Sequence, residues 1–364
     1  MAIEVYRRTP CRAAPRRHPI SRTSRTLAFC LGFFWIAGVL TSIPASAQSV
    51  ADFYKGRMLT VYVSSGPGGG YDTYARTLAR HIGKHIPGHP TTVVKNRPGA
   101  GGLILANELY NILPQDGSVI AIIANGVPLE PLFGSEQAKY DPRKFNWLGS
   151  TNNEVNVCMS WHTSPVKKWQ DLQTTPMAVG GTGALSETDT FPRMLNDVLG
   201  TKLKLVTGYK SSTEIILAME RGEIDGICGQ SLSTVKARRA EPVREGKLKI
   251  LIQMATSKHP EFPDVPFIMD MVKNERDEKL LKLFFTRLDI GRPFVAPPGV
   301  PPDRVKALRV AFAATMKDPA FLADAEKQRL EIKSVSGERI SELVDNIYKA
   351  PPDIVQRVRE ISGR

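Results

Sequence analysis

The run Ser64-Ser65-Gly66-Pro67-Gly68-Gly69-Gly70-Tyr71-Asp72 brings together the residue types that hold an anion. It follows the strand-like Leu59–Val63 and leads at once into the helical pattern Thr73–Arg80. Glycines let a backbone approach a ligand closely. The first N–H groups of a helix lack intrahelical partners, and the helix dipole favours negative charge at that end. Ser65, Gly69, Gly70 and Tyr71 are therefore candidate ligand contacts. Asp72 has two compatible readings: a first-turn or capping carboxylate, or a group that holds a ligand amine or a water beside the turn.

Three further glycine turns follow strand-like runs. Asn96-Arg97-Pro98-Gly99-Ala100-Gly101-Gly102 comes after Thr92–Lys95 and precedes a helix, and supplies Gly99, Ala100 and Gly101 as candidates. Gly180-Gly181-Thr182-Gly183-Ala184-Leu185-Ser186-Glu187-Thr188 also precedes a helix and supplies Gly183, Ala184, Ser186 and Thr188. Thr207-Gly208-Tyr209-Lys210-Ser211-Ser212 adds Tyr209 and Ser212. Asn125 follows the strand-like Val119–Ile123, and Gln230 and Ser231 follow Ile224–Cys228. One such turn is weak evidence, because loops also need glycine for left-handed backbone angles. Two turns in each half of the chain point to a cleft between two domains.

Other chemistries fit poorly. No Gly-Lys-Ser/Thr closes the first turn, so it is not a Walker loop, and no acidic residue ends a following strand as dinucleotide binding requires. There is no Gly-x-Ser-x-Gly elbow, and no nucleophile, base and orienter can be assembled. His81, His85 and His89 recur every fourth residue, but Gly83, Pro87 and Gly88 break the helix that would align them for a metal. No metal or cofactor is expected. Glu187 and Asp189 read as first-turn helix carboxylates. Lys236-Ala237-Arg238-Arg239 reads as a solvated helix end.

The first 47 residues read as an export leader. Seven arginines between Arg7 and Arg25 precede the apolar run Leu27–Leu40, and Ala45-Ser46-Ala47 offers a cleavage site. The apolar run is shorter than the ~20 residues that a membrane span needs. Of the formal net charge of +13, the seven leader arginines and Glu4 account for +6. The +7 left on the remaining chain suits a small anionic ligand and gives no nucleic-acid patch. Beyond the leader the length fits two domains. Cys158 and Cys228 remain there, either as a disulfide or as two separate buried thiols.

Strand-like and helix-like runs alternate from Leu59 to Met254. Strands are expected at Leu59–Val63, Thr92–Lys95, Val119–Ile123, Val155–Met159, Met177–Gly180, Lys204–Thr207, Ile224–Cys228 and Lys249–Met254. Helices are expected between them and at Pro302–Lys317, Pro319–Arg329 and Gly337–Tyr348, with Pro293–Pro302 as a connector. Alternation of this kind predicts an α/β fold with parallel or mixed sheets.

Several of these segments together resemble the Bug-type solute receptors of tripartite tricarboxylate transporters. They are the leader, Gly66–Asp72 opening a helix with Ala75-Arg76, the Asn96–Gly102 turn, Pro114-Gln115-Asp116-Gly117, Gly222-Glu223-Ile224-Asp225, Pro263-Asp264-Val265-Pro266 and Phe294–Pro301. The resemblance covers the chain from about Asp52 onward. It implies a type II periplasmic-binding-protein fold, with two α/β domains joined by a hinge around the ligand cleft. The implied division is a leader over 1–47, one domain from 48–150 and 286–364, and a second from 151–285.

The implied function is a monomeric periplasmic receptor that is not an enzyme, takes a small carboxylate and passes it to membrane permease subunits. The same fold used as a sensory or orphan binding protein stays open, as does, more remotely, a secreted enzyme. The first two glycine turns would hold one carboxylate through backbone groups and water, and Gly180–Thr188 with Gly208–Ser212 would meet the far end. The second-domain turn departs from the family's Ser-Ser-Gly-x-Gly-Ser, and Leu185 leaves room for a ligand with an apolar or aromatic part.

Overall fold

In a computed structural model the protein is described from Gln48 to Gly363, apart from Ala184 and Leu185. The leader expected over 1–47 lies outside these residues. Strands run in chain order as β1 Met58–Val63, β2 Thr91–Asn96, β3 Val119–Ile122, β4 Asn146–Ser150, β5 Asn156–Trp161, β6 Met177–Gly181, β7 Leu203–Thr207, β8 Gly226–Ser231, β9 Leu248–Met254, β10 Pro293–Ala296 and β11 Val335–Ser336. They form two mixed sheets, in the orders β11-β4-β10-β3-β1-β2 and β7-β6-β8-β5-β9.

In the first sheet β1 runs parallel to β2 and β3, while β10 runs antiparallel to β3 and β4. In the second, β6 is parallel to β7 and β8, and β5 is antiparallel to β8 and β9. The chain leaves the first sheet after Ser150 and returns to it at Pro293.

The helix Gly70–Ile82 shows how the sequence builds these layers. Tyr74, Ala75, Leu78, Ala79 and Ile82 recur at helical spacing and are buried. They join Leu59, Val61 and Val63 of β1 in one apolar cluster. Asp72 in its first turn and Arg80 and His81 in its last complement the helix dipole. A second cluster runs from Leu103–Leu109 to the buried face of helix Glu275–Ile290, and a third covers the other face of the second sheet.

The expected α/β class with mixed sheets is found, with differences in detail. The strand expected at Ile224–Cys228 begins at Gly226 and runs on to Ser231, since Gly222 turns the chain at positive φ just before it. Pro293–Pro302 is not wholly a connector: its first four residues are β10, with proline at the strand's first position, where no ladder donor is lost. β4, β11 and the helices Glu275–Ile290 and Pro352–Ile361 were not among the expected elements. Cys158 and Cys228 are direct cross-strand partners of β5 and β8 and are joined as a disulfide. No helix among the described residues is long and apolar enough to cross a membrane.

Candidate functional site

A cavity of about 610 Å³ is walled by loops of both sheets. One wall is the Ser64–Tyr71 turn. Gly68 has φ +77, a conformation that glycine adopts without strain. Gly69 caps the helix Gly70–Ile82, and the Ser64 and Ser65 hydroxyls are sealed from solvent with no hydrogen-bond partner. The free donors at this helix N-terminus make the wall an acceptor-binding surface.

Asp72 lies behind this wall, not in it. Its carboxylate accepts from the Gly68 N–H at 2.8 Å, from Arg76 Nε at 3.0 Å and from Asn96 Nδ2 at 2.8 Å. Burial opposes its charge, yet Arg76, the Gly68 N–H and Asn96 hold its carboxyl below the usual range. Asp72 is thus a staple that ties the glycine turn to β2. Three protein donors hold this carboxylate, and Asp72 is not among the residues that line the cavity.

The Asn96–Gly102 turn reaches the cavity only at Gly101. Gly99 packs toward Ile104, and Ala100 is exposed at the surface. Gly183 also stays off the wall: its N–H donates to Asp189 Oδ1 at 2.8 Å. Asp189 is fully buried and also accepts from Thr207 Oγ1 at 2.7 Å, so it organises that turn from inside. Tyr209 packs with the third apolar cluster, and Ala184 is outside the described residues. The remaining candidates all line the cavity: Ser65, Gly69, Gly70, Tyr71, Gly101, Asn125, Ser186, Thr188, Ser212 and Gln230.

Sequence reasoning missed the charges. Lys210, Arg238, Arg239, Arg287 and Arg292 line the same cavity, against Glu154 and Glu187. Arg238 and Arg239 lie within the helix Leu232–Arg244 beside the cavity, not at a helix end. The helix Leu232–Arg244 departs from helical geometry at Arg239 (φ −134), and Arg238 donates to Gly68 O and, at 2.7 Å, to Thr73 Oγ1.

Arg292 stands at the return to the first sheet. Its Nε donates to Glu154 Oε1 at 2.8 Å and its Nη2 to Ser231 Oγ at 2.9 Å. The guanidinium lies 4.9 and 4.7 Å from the Tyr71 and Tyr74 ring centres, within cation–π range. Burial works against its charge, but Glu154 and the two phenols raise its pKa and keep it protonated. Burial, reinforced by Glu187, likewise pushes the Tyr71 phenol up, so it remains a neutral hydroxyl. The available signal in the sequence was the junction itself: Asn152-Asn153-Glu154 and Gly291-Arg292 interrupt apolar runs where the chain changes sheets.

The spaced histidines belong elsewhere. His81 pairs with Asp324 at 2.9 Å and His85 with Asp318 at 2.8 Å, which tie the helix Gly70–Ile82 and the turn Gly83–His85 after it to the helix Pro319–Lys327 and its cap. No cluster able to hold a metal occurs among the described residues.

Comparison with known proteins agrees with this architecture. Residues 74–359 match the family described as tripartite tricarboxylate transporter family receptor. A UPF0065 protein of Cupriavidus necator, from the gbd 5′ region, is 26% identical over 357 residues, covering 94% of this chain and 98% of that protein. The structure of the periplasmic binding protein BugD superposes with TM-score 0.67 at 20% identity, over 85% of this chain and 98% of that one. MatC from Rhodopseudomonas palustris, with bound malate, superposes with TM-score 0.64 at 20% identity, over 82% and 99%. At these identities the structural likeness establishes the fold: two α/β domains of the solute-binding type.

Proposed function

The chain belongs to the tripartite tricarboxylate transporter receptor family, and on that premise we propose that it is a periplasmic receptor that captures a small carboxylate in the cavity between its sheets. The observation that carries this reading is the composition of the cavity wall. A helix N-terminus faces a space lined by five cationic side chains and only two carboxylates. Such a wall favours an anion with several acceptor oxygens. The cavity volume lies within the ~300–1,000 Å³ typical of ligand sites. MatC, a protein of the same fold, holds malate. Export by the leader and delivery to membrane permease subunits complete the reading, and family membership supports them.

The test is thermal unfolding of refolded, ligand-stripped protein against mono-, di- and tricarboxylates at millimolar concentration. A ligand at a hundred times its Kd stabilises by about 2.7 kcal/mol, a shift of several degrees. At least one carboxylate should raise Tm while neutral polyols do not. A flat response across a broad panel would count against carboxylate capture.

A further inference from the structure

Two ionic groups on the cavity wall are short of partners. Arg287 is only 5% exposed, on the inner face of helix Glu275–Ile290. Its guanidinium is wedged against Gly126, with its carbon 5.6 Å from the Phe284 ring centre. Its hydrogen bonding among the described residues is one long contact, Nε to Asn125 Oδ1 at 3.4 Å. Glu187 Oε1 lies 3.9 Å from the same Nε, beyond hydrogen-bond reach, and that oxygen is sealed from solvent without a partner.

The other buried pair in the cavity is complete by comparison. Glu154 accepts from Arg292, Asn152, Ser231 and Ser233. A desolvated charge left half-paired is unfavourable, so the second pair lacks what the first has. Neighbouring groups are committed: Asn125 Oδ1 faces Arg287, and the Asn125 N–H donates to the Tyr71 hydroxyl at 3.1 Å.

We propose that Arg287 and Glu187 form a subsite for a carboxylate that bears a hydrogen-bond donor on the adjacent carbon. Arg287 takes the carboxylate oxygens, and Glu187 accepts from the donor, a hydroxyl or an ammonium. An acceptor pair and a donor on neighbouring atoms of one ligand match a cation and an anion set side by side. Glu187 is therefore the residue that separates substituted from plain carboxylates. The inference rests on the carboxylate reading of the cavity and names the class of carboxylate.

Calorimetric titration of three matched series tests it: succinate, L-malate and L-aspartate; glutarate, 2-hydroxyglutarate and L-glutamate; propionate, L-lactate and L-alanine. In at least one series a donor-bearing member should bind tenfold or more tightly than the plain acid. Glu187→Leu should remove that preference. Glu187→Gln keeps an acceptor but no charge, so it should abolish an ammonium preference and leave part of a hydroxyl preference. Unchanged Tm of the ligand-free variants shows that they fold. Equal binding of plain and substituted acids in every series, or a preference that survives Glu187→Leu, overturns the subsite and leaves carboxylate capture standing. Absence of binding by every member overturns both.

Discussion

Asp324 shows how single residues fix the helices behind the site. Its carboxylate accepts from Arg80 Nε at 2.8 Å and bonds His81 Nε2 at 2.9 Å. Arg80 is the main cause that lowers its pKa from 3.8 to about 2, with burial opposing and His81 assisting. A depressed carboxyl contributes stability that is fully present above its unfolded value and is lost as pH falls through its folded value. The window is therefore pH 3.8 down to about 2. Since Arg80 is half-exposed, the contribution at neutral pH is modest, about 1 kcal/mol or less. Asp324→Asn should lower stability slightly at pH 7 and flatten the acid-side decline within that window. Urea unfolding at a series of pH values reads both effects. A variant whose decline parallels the parent's would remove Asp324 from the acid response.

The glycine turn behaves as an element whose positions are not equivalent. Gly68 needs its positive φ but has open space where a Cβ would go, so Gly68→Ala costs only backbone strain, roughly 1–2 kcal/mol. Gly69 has φ −76 and would place a Cβ in ordinary contact with Gly66 O and Ser65 Oγ. Gly69→Ala should therefore leave stability nearly unchanged, yet put a methyl group beside the helix donors and weaken carboxylate binding. Denaturation midpoints and calorimetry on the two variants separate the effects; a Gly69→Ala protein with native affinity would move the anion away from this turn. Elements of this kind were legible in the sequence because glycine, strand and helix signals are local. The parallel core strands and the helices that follow them were legible for the same reason. The charged wall was not. Arg287 sits in the helical pattern Leu280-Leu281-Phe284-Leu288, with Asn274 as a cap, and nothing in that pattern shows that its charge faces a cavity. Arg292 and Glu154 are 138 residues apart in sequence, and only the double crossing between sheets brings them together. Asp72 and Asp189 read as helix-start residues, and no local pattern shows that each folds back to fill a glycine turn.

At the scale of the whole molecule, the two sheets are linked covalently at 151–155 and around Gly291–Arg292, and non-covalently beside the cavity by Arg238 among other contacts. That arginine follows β8 of the second sheet and bonds the turn after β1 of the first, at Gly68 O and Thr73 Oγ1. The contact ties the second sheet's side of the cavity to the same turn that offers the helix donors. If a bound ligand is held behind such contacts, its release requires them to part, whereas encounter does not. Changes of this type fall mainly on dissociation. The Arg238 side chain is exposed, so its bonds are worth about 1 kcal/mol, a factor of ~5. Arg238→Ala should raise the ligand off-rate about fivefold, leave the on-rate within twofold, and lower ligand-free stability by about 1 kcal/mol at most. Stopped-flow binding and release of the tightest carboxylate measure the two rates. If both stay at parental values, closure depends on the buried groups around Arg292 and Glu154 alone. An equal fall in on-rate would instead make Arg238 a steering charge, because loss of a long-range attraction slows encounter and not escape.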